Sequence, residues 1–452
     1  MKRSARVSRA STGLGPGFRR LWLAQGASSI GVQVSELAVP LLAVVSLGAS
    51  AGQAGMLGAA RWVPFLLLAL PLGVLVDRMR RRPILIAADL ARAALTVVIV
   101  LLASLGRLTL PALLFFVLLL GAFTVAFEVS YQSYLPTVAG RDQLERANGR
   151  LQATAAAAEI GGPGLGGVLI QTLTAAWALL AHAVTYVVSA VALIGIGARE
   201  RRPTPTGHGA LAELREGLRF VRRDRYLVAL VGFAAIYNLF AHAITVLFTV
   251  HAVRELGLEA GHLGLVFGLG AVGAVAAAAN APGAVRRFGA GRVLVACAAV
   301  ESVALSALPV IPAGLPLPAL IAVLVGVFAC NGAGTALSSV VALTLRQLRT
   351  PDALLGRVNA TMRWISYGVI ALGAGLGGIA GELLGTRAGM AIGCGGVLLT
   401  VVWVALSPLR TIRDPRELAA SEGGDRAGGG PDPGPPPCGD AVRDDATGTV
   451  NA

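Results

Sequence analysis

Charge is scarce in this chain of 452 residues. Asp, Glu, Lys and Arg make up 14% of it, against roughly 25% in soluble globular domains, so an ordinary water-exposed surface is excluded. Acidic residues are the rarer sign, 24 against 38 basic ones, which leaves a net charge of +14. Aromatic residues are only 5% and form no aromatic-basic platform, so nucleic acid is not an expected partner. Of the four cysteines, Cys297, Cys330 and Cys394 lie in apolar runs and Cys438 near the C-terminus. They show no C-x-x-C and no pairing register, which argues against a disulfide framework or a metal site. The phosphate-cradling sequence G-x-x-x-x-G-K-[ST] is absent, so no ATP-driven pump is encoded here. H-E-x-x-H and G-x-S-x-G are also absent, and the apolar runs carry no carboxylate cluster, so we expect no enzyme and no cofactor.

What fills the chain instead is apolar sequence, 55% of all residues, gathered in runs of about 20 that are each long enough to cross a bilayer as a helix. Twelve spans are expected, at 20–47, 52–76, 84–105, 109–133, 150–172, 175–198, 226–250, 260–281, 292–312, 318–344, 356–382 and 387–408. The fold class is therefore an all-α membrane protein. Basic residues occupy alternate connections. One set holds Arg78, Arg80, Arg81 and Arg82, then Arg141, Arg146 and Arg150, then Arg286, Arg287 and Arg292, then Arg346, Arg349 and Arg357. The other set holds only Arg107, Arg254 and Arg387. This asymmetry puts the first set, and both termini, in the cytoplasm of a plasma-membrane protein. The first apolar run lacks a small-residue cleavage site and is read as a retained helix, not a signal peptide.

Five segments follow. Residues 1–19 form a basic cytoplasmic N-terminus, 20–198 a six-helix half, 199–225 a linker, 226–409 a second six-helix half, and 410–452 a tail. The Gly/Pro-rich composition after Ser421 is expected to leave that tail disordered. In the linker, Leu211, Leu214, Leu218 and Val221 share one helical face, as in an amphipathic helix along the inner membrane surface. The two halves repeat. Leu144, Asn148, Gly162, Leu165, Gly166 and Gly167 recur as Leu355, Asn359, Gly373, Leu376, Gly377 and Gly378, at a constant displacement of 211 residues. Asn148 and Asn359 are expected to cap the equivalent inner helices of the two halves.

The connection between spans 2 and 3 is the most specific motif. Gly73, Asp77, Arg78, Arg81 and Arg82 spell G-x-x-x-D-R-x-x-R-R, which resembles the signature loop of the major facilitator superfamily. The resemblance implies twelve helices in two halves related by an axis along the membrane normal. It also implies that Asp77 faces the positive N-terminal end of span 11, biasing the equilibrium between inward- and outward-open forms, with Arg78 and Arg81 pairing to carboxylates. Arg80 stands where that family often has glycine. In span 5, Gly162, Pro163, Gly166 and Gly167 match a G-P-x-x-G-G pattern found in exporters of the superfamily, with Ala158 where the motif usually begins with glycine. A bend packed closely on a neighbour is expected there, and in one half only, because the second half has Ala374 in place of the proline. The block from Ala60 through Arg92, with Tyr134, Pro136 and Asn148, is similar to the macrolide-efflux-like and enterobactin-exporter-like permeases of the superfamily.

Charges inside spans are costly unless paired or hydrated, so each is a candidate site. Glu36 and Arg61 lie at similar depth on spans 1 and 2 and can pair near the centre, with Glu159 a second carboxylate. Asp89 and Arg92, three residues apart, share a face of span 3 and read as a structural pair. Glu301, His182, Asn238, His242, Asn331 and Arg363 are further intramembrane polar groups. The expected protein is a monomeric permease in the lipid bilayer that exports a small-molecule substrate by exchange for protons, Glu36 being the first candidate carrier and Glu159 the second. An importer of the same fold, or a sensor or enzyme without transport, are the alternatives.

Overall fold

The computed structural model describes residues 14–140, 143–197, 200 and 210–414, though not the side chains of Asp77, Glu145, Ile160, Ala210, Leu211, Glu213, Asp352 and Ala353. Among the described residues there is no strand. The first half contains α1 (Pro16–Leu41), α2 (Ala51–Arg78), α3 (Arg81–Ser104), α4 (Leu110–Ala139), α5 (Leu144–Leu173) and α6 (Ala175–Ile194). A short helix, α7 (Ala210–Arg223), leads into the second half. That half contains α8 (Arg225–Arg254), α9 (Ala260–Phe288), α10 (Ala290–Ser306), α11 (Leu317–Arg349), α12 (Asp352–Leu384) and α13 (Thr386–Leu406).

Eleven of these helices are long and apolar enough to cross a membrane, and α5 is the twelfth if its two arms count as one span. Those arms, 146–159 and 161–173, meet at 41°. Pro163 explains the bend, because it has no N–H to give the carbonyl of Glu159 and its ring crowds that turn. The equivalent helix α12 carries Ala374 and runs from Leu354 to Leu384 as one span. Pro40 disturbs α1 in a related way: the helix loosens into a π turn over Leu42–Ser46, where Leu47 N–H reaches back to the Leu42 carbonyl.

Several helices are longer than hydropathy suggests. α5 begins at Leu144, not near 150, and α12 at Asp352, not near 356, because helical hydrogen bonding continues past the apolar layer into charged sequence. In contrast α10 stops at Ser306, and a separate short turn, Leu308–Val310, completes that crossing. The C-terminal segment also needs correction at its start. Ala290 N–H and Gly291 N–H, at the N-terminus of α10, donate to the carbonyls of Arg413 and Ile412 at 3.2 and 2.9 Å. Residues 410–414 therefore belong to the fold, and the expected disordered tail from 415 onward lies outside the described residues, as do residues 1–13.

The linker helix α7 docks on the second half through the C-terminal end of its apolar face. Val221 is buried with Leu227, Val358 and Met362, and Glu216 pairs with Arg357 of α12 at 2.8 Å. Gly217 sits so close to Arg357 and Thr361 that any side chain there would meet α12.

The apolar packing differs between the two ends of the bundle. At the end away from the Gly73–Arg82 loop, one continuous core joins both halves, including Leu37, Leu42, Leu57 and Ile170 with Leu247, Phe248, Leu263 and Leu324. At the arginine-rich end each half has its own core. Phe18, Leu85, Tyr134 and Leu193 form one, and Leu227, Leu294, Leu345 and Leu409 form the other. The halves are thus sealed together at one end and separately packed at the other.

Candidate functional site

Small residues create the seal. Gly55 of α2 lies against Gly378 of α12, and a Cβ at Gly167 of α5 would be 2.6 Å from the Gly264 Cα of α9. Only glycine allows backbones to approach so closely. Polar groups rim the same end. Gln171 donates to Glu259 at 2.6 Å, Gly52 N–H to Glu382 at 2.9 Å, and Arg254 to the carbonyls of Gly48 and Ala49 at 3.0 and 2.7 Å.

Toward mid-depth the same helices α2 and α12 exchange larger side chains. Trp62 stacks on Tyr367 with ring centroids 5.1 Å apart, Phe65 lies 4.5 Å from Tyr367, and Trp364 donates to the Leu66 carbonyl at 3.0 Å. Two arginines flank this aromatic cluster. Arg61 donates to Glu36 of α1 at 2.9 Å, the side chains being 32% and 46% exposed. Arg363 reaches Glu128 of α4 at 3.5 Å, bridging the two halves, and donates to the Tyr367 hydroxyl at 3.0 Å. Arg61 is ten residues into α2, about 15 Å along its axis. A half-exposed ion pair at that depth needs hydration, so these groups border a wet space between the halves. Glu159 is exposed and close enough to feel the Glu36 charge, and His242 of α8 feels both Glu36 and Arg61.

Asp89 and Arg92 also pair, but in a different setting. Both are buried, at 0% and 2% exposure, and Ser189 of α6 donates to the other carboxylate oxygen at 2.6 Å. The Arg92 guanidinium lies between Phe127 and Tyr186, 4.3 Å from each ring centre. Every charge is answered by a partner inside the first half, as a structural pair requires.

The Gly73–Arg82 loop differs in detail from expectation. Arg78 and Arg81 make no salt bridge among the described residues, and Arg81 Nε is buried without a partner. The carboxylate that meets the loop is Glu200, which accepts from the backbone N–H of Arg81 at 3.2 Å and of Arg82 at 3.5 Å. It sits at the N-terminus of α3, where exposed N–H groups favour an anion. Arg82 donates to the carbonyls of Leu193 (3.0 Å) and Ile194, fastening the loop to the end of α6. Gly73 has open space around it, and the Asp77 side chain, with its expected contact to α12, lies outside the described residues.

The bent motif on α5 has two packing faces. Gly162 and Gly166 accommodate Gln33 and Val34 of α1, while Gly167 meets Gly264 across the halves and the Pro163 carbonyl points at the same glycine. The two asparagines are not caps. α5 starts four residues before Asn148 and α12 seven before Asn359, so both lie inside helices. Asn148 is exposed, and Asn359 Oδ1 is buried without a partner.

Sequence reasoning missed Glu128, Trp62, Trp364 and Tyr367. The available signal was a shared Arg-Trp pair, Arg61-Trp62 and Arg363-Trp364, on the two helices that cross at the seal.

Comparison with known proteins places this chain among membrane transporters of similar sequence and fold. The sequence profile of the transmembrane secretion effector family matches residues 15–422. The multidrug efflux pump Tap of Mycobacterium tuberculosis (strain ATCC 25618 / H37Rv) is 33% identical over 47% of this chain, a match that spans about half of Tap. The enterobactin exporter EntS of Citrobacter koseri is 26% identical over 88% of this chain and 94% of its own length. Among solved structures, a bacterial homologue of the iron transporter ferroportin in an inward-facing state superposes with a TM-score of 0.68 at 19% identity, covering 86% of this chain and 98% of that one.

Proposed function

The chain belongs to the transmembrane secretion effector family, within the major facilitator superfamily, and from that premise we propose that it exports a small organic molecule in exchange for protons. The observation that carries this reading is the site shared between the halves at mid-depth. A seal on one side of it and separate cores on the other describe one state of an alternating-access cycle. With the arginine-rich face in the cytoplasm, that state is open to the inside.

The chemistry of the site suggests its cargo. Trp62 and Tyr367, half-buried and backed by the buried Phe65, offer ring surface, and Arg61, Arg363, Glu36 and Glu128 offer paired charges that a ligand can partly replace. An amphipathic aromatic compound suits this combination, its rings stacking and its polar groups satisfied by the ion pairs.

Proton coupling follows from the Glu36–Arg61 pair. Protonating Glu36 removes the attraction that ties α1 to α2 and leaves Arg61 to seek another anion, which favours rearrangement of both helices. Glu159 of α5 is the second proposed carrier. Asp77, at the end of α2, is the proposed gate at the arginine-rich face, and the Gly162–Gly167 bend the proposed seal at the other.

The test is uptake of a fluorescent aromatic amphiphile by everted membrane vesicles containing the full chain. An acidic lumen should drive accumulation that a protonophore abolishes, and Glu36→Gln should remove the response to the pH gradient. Accumulation in right-side-out vesicles instead, driven by outside acid, would replace export by import.

A further inference from the structure

The second half contains a carboxylate that the exchange reading does not use. Glu301, on α10, is 1% exposed and lies at mid-depth, eleven residues into the helix. It packs on Gly334 of α11, where a Cβ would stand 2.5 Å from Glu301 Cγ, so a glycine makes room for it. Ser338 of α11 lies 3.0 Å from Oε1, and Oε2 is buried without a hydrogen-bond partner.

Among the described residues no cation pairs with this carboxyl. On α10 the titratable neighbour is Cys297, one turn away, and on α8 it is Tyr237. α11 presents Ser338 and Thr335 at this level, while its Arg346 and Arg349 lie two turns or more toward the arginine-rich end, Arg349 holding Asp224 at 2.7 Å. α13 brings Cys394, bonded to the Leu305 carbonyl, and at its far end Arg387, 3.2 Å from Glu255. His262, Arg286 and Arg287 occupy the two ends of α9. Asp89 in the first half is the contrast: it has Arg92 as well as Ser189.

The hydrogen count at Ser338 decides the protonation state. A hydroxyl has one hydrogen. Ser338 Oγ is within 3.1 Å of the Thr335 carbonyl and 3.0 Å of Glu301 Oε1, so two acceptors would compete for it if Glu301 were ionised. A protonated Glu301 removes the conflict: its O–H donates to Ser338 Oγ, and Ser338 donates to Thr335. One side chain then serves in both roles, and no unpaired charge is buried.

The Thr335 side chain, a separate group from the carbonyl that Ser338 meets, belongs to a polar strip along which water can approach from the half-buried side. Its hydroxyl donates to the Asn331 carbonyl at 2.9 Å and accepts from Tyr237 at 3.0 Å, and Asn331 Nδ2 donates to Tyr237 at 2.9 Å. These three side chains are half-buried, whereas Ser338 and Glu301 are buried. We infer that Glu301 is a proton-binding site of the second half, loaded in this conformation and exchanging its proton with water through the Ser338, Thr335 and Tyr237 side of α11. Release leaves a carboxylate and a hydrated proton, and needs water to reach the Glu301 carboxyl.

This extends the proton-coupled reading above, and the test separates the two. Infrared spectra of the purified full chain in nanodiscs should show a protonated-carboxyl band at neutral pH that shifts in D2O. The band should fade at alkaline pH, vanish in Glu301→Gln and persist in Glu36→Gln. Ser338→Ala should move it to the position of a carboxyl without a hydrogen-bond partner. Identical carboxyl spectra for wild type and Glu301→Gln would overturn the assignment. In vesicles, Glu301→Gln keeps the shape and donor capacity of the protonated form, and should slow pH-driven transport at least about tenfold while thermal stability holds. Wild-type pH-driven rates in a folded Glu301→Gln would overturn proton exchange at this site. Absence of pH-driven transport in the wild type, with the band intact, would refute the antiport reading and support proton binding at Glu301.

Discussion

Substituting Gly167 strikes the seal between the halves without touching any charge. A Cβ at this position meets the Gly264 Cα at 2.6 Å and the Ala260 carbonyl oxygen at 3.1 Å, and the reverse substitution at Gly264 meets Gly167 at 2.5 Å. These are backbone atoms, so no side-chain rotation relieves the clash. The helices must separate. Over-packing a tight contact costs about 1–3 kcal/mol. Here the cost falls only on the sealed conformation, since the contact does not exist once this end opens. A differential of about 1–3 kcal/mol shifts a two-state equilibrium roughly 5- to 150-fold. Gly167→Ala should therefore lie near the lower figure and Gly167→Leu near the upper. The assay is electron–electron resonance with one pair of spin labels across the sealed end and another across the arginine-rich end, in a variant lacking the native cysteines. The expected result is a longer distance at the sealed end together with a shorter one at the other. Lengthening at the sealed end with no change at the arginine-rich end would refute the reasoning, because it would mean local distortion and not a shift between two states.

Other substitutions separate structural charges from working ones. Asp89→Asn should destabilise the protein by about 3–5 kcal/mol by stranding a buried Arg92, and Asp89→Asn with Arg92→Met should recover much of it, as read from denaturation midpoints. Breaking the half-exposed Glu36–Arg61 pair should cost only about 0–1 kcal/mol of stability, so Arg61→Gln should fold normally yet lose pH-driven transport. Glu128→Gln should leave stability nearly unchanged and alter the rate of exchange between conformations, measured by stopped-flow quenching of Trp62 and Trp364, since Arg363 then loses its tie across the halves. Asn148→Ala should change stability by no more than about 0.5 kcal/mol in thermal melts, because the amide is exposed and caps nothing.

Much of this arrangement was legible before the structure. Apolar runs give the spans because bilayer thickness fixes their length, and the position of arginines sorts the connections. Glu36 with Arg61 and Asp89 with Arg92 were legible because depth and helical spacing are arithmetic along single helices. Pro163 announced its own bend. Helix ends were less legible, since hydropathy falls at charges whereas backbone hydrogen bonds continue, and Asn148 and Asn359 were misread as caps for that reason. Contacts between distant segments left no local trace. Glu128 and Arg363 lie far apart in sequence, and nothing near either one marks the other. The same applies to Glu200, the carboxylate that meets the loop through the backbone N–H groups of Arg81 and Arg82, where side-chain pairing of Arg78 and Arg81 was expected. For α7, amphipathicity shows that a face is apolar but does not mark Val221 as the residue that the second half covers.

The central claim is that substrate movement one way is tied to proton movement the other way through this site. It is tested most directly by purified protein in liposomes of known orientation, loaded with a pH-sensitive dye and given no other energy source. Adding an aromatic amphiphile carried by the protein should drive protons across the membrane in the opposite direction, at a rate proportional to substrate flux. Glu36→Gln should abolish the proton signal while substrate still equilibrates down its own gradient. Substrate flux at full rate with no proton signal in the wild-type protein would contradict the account.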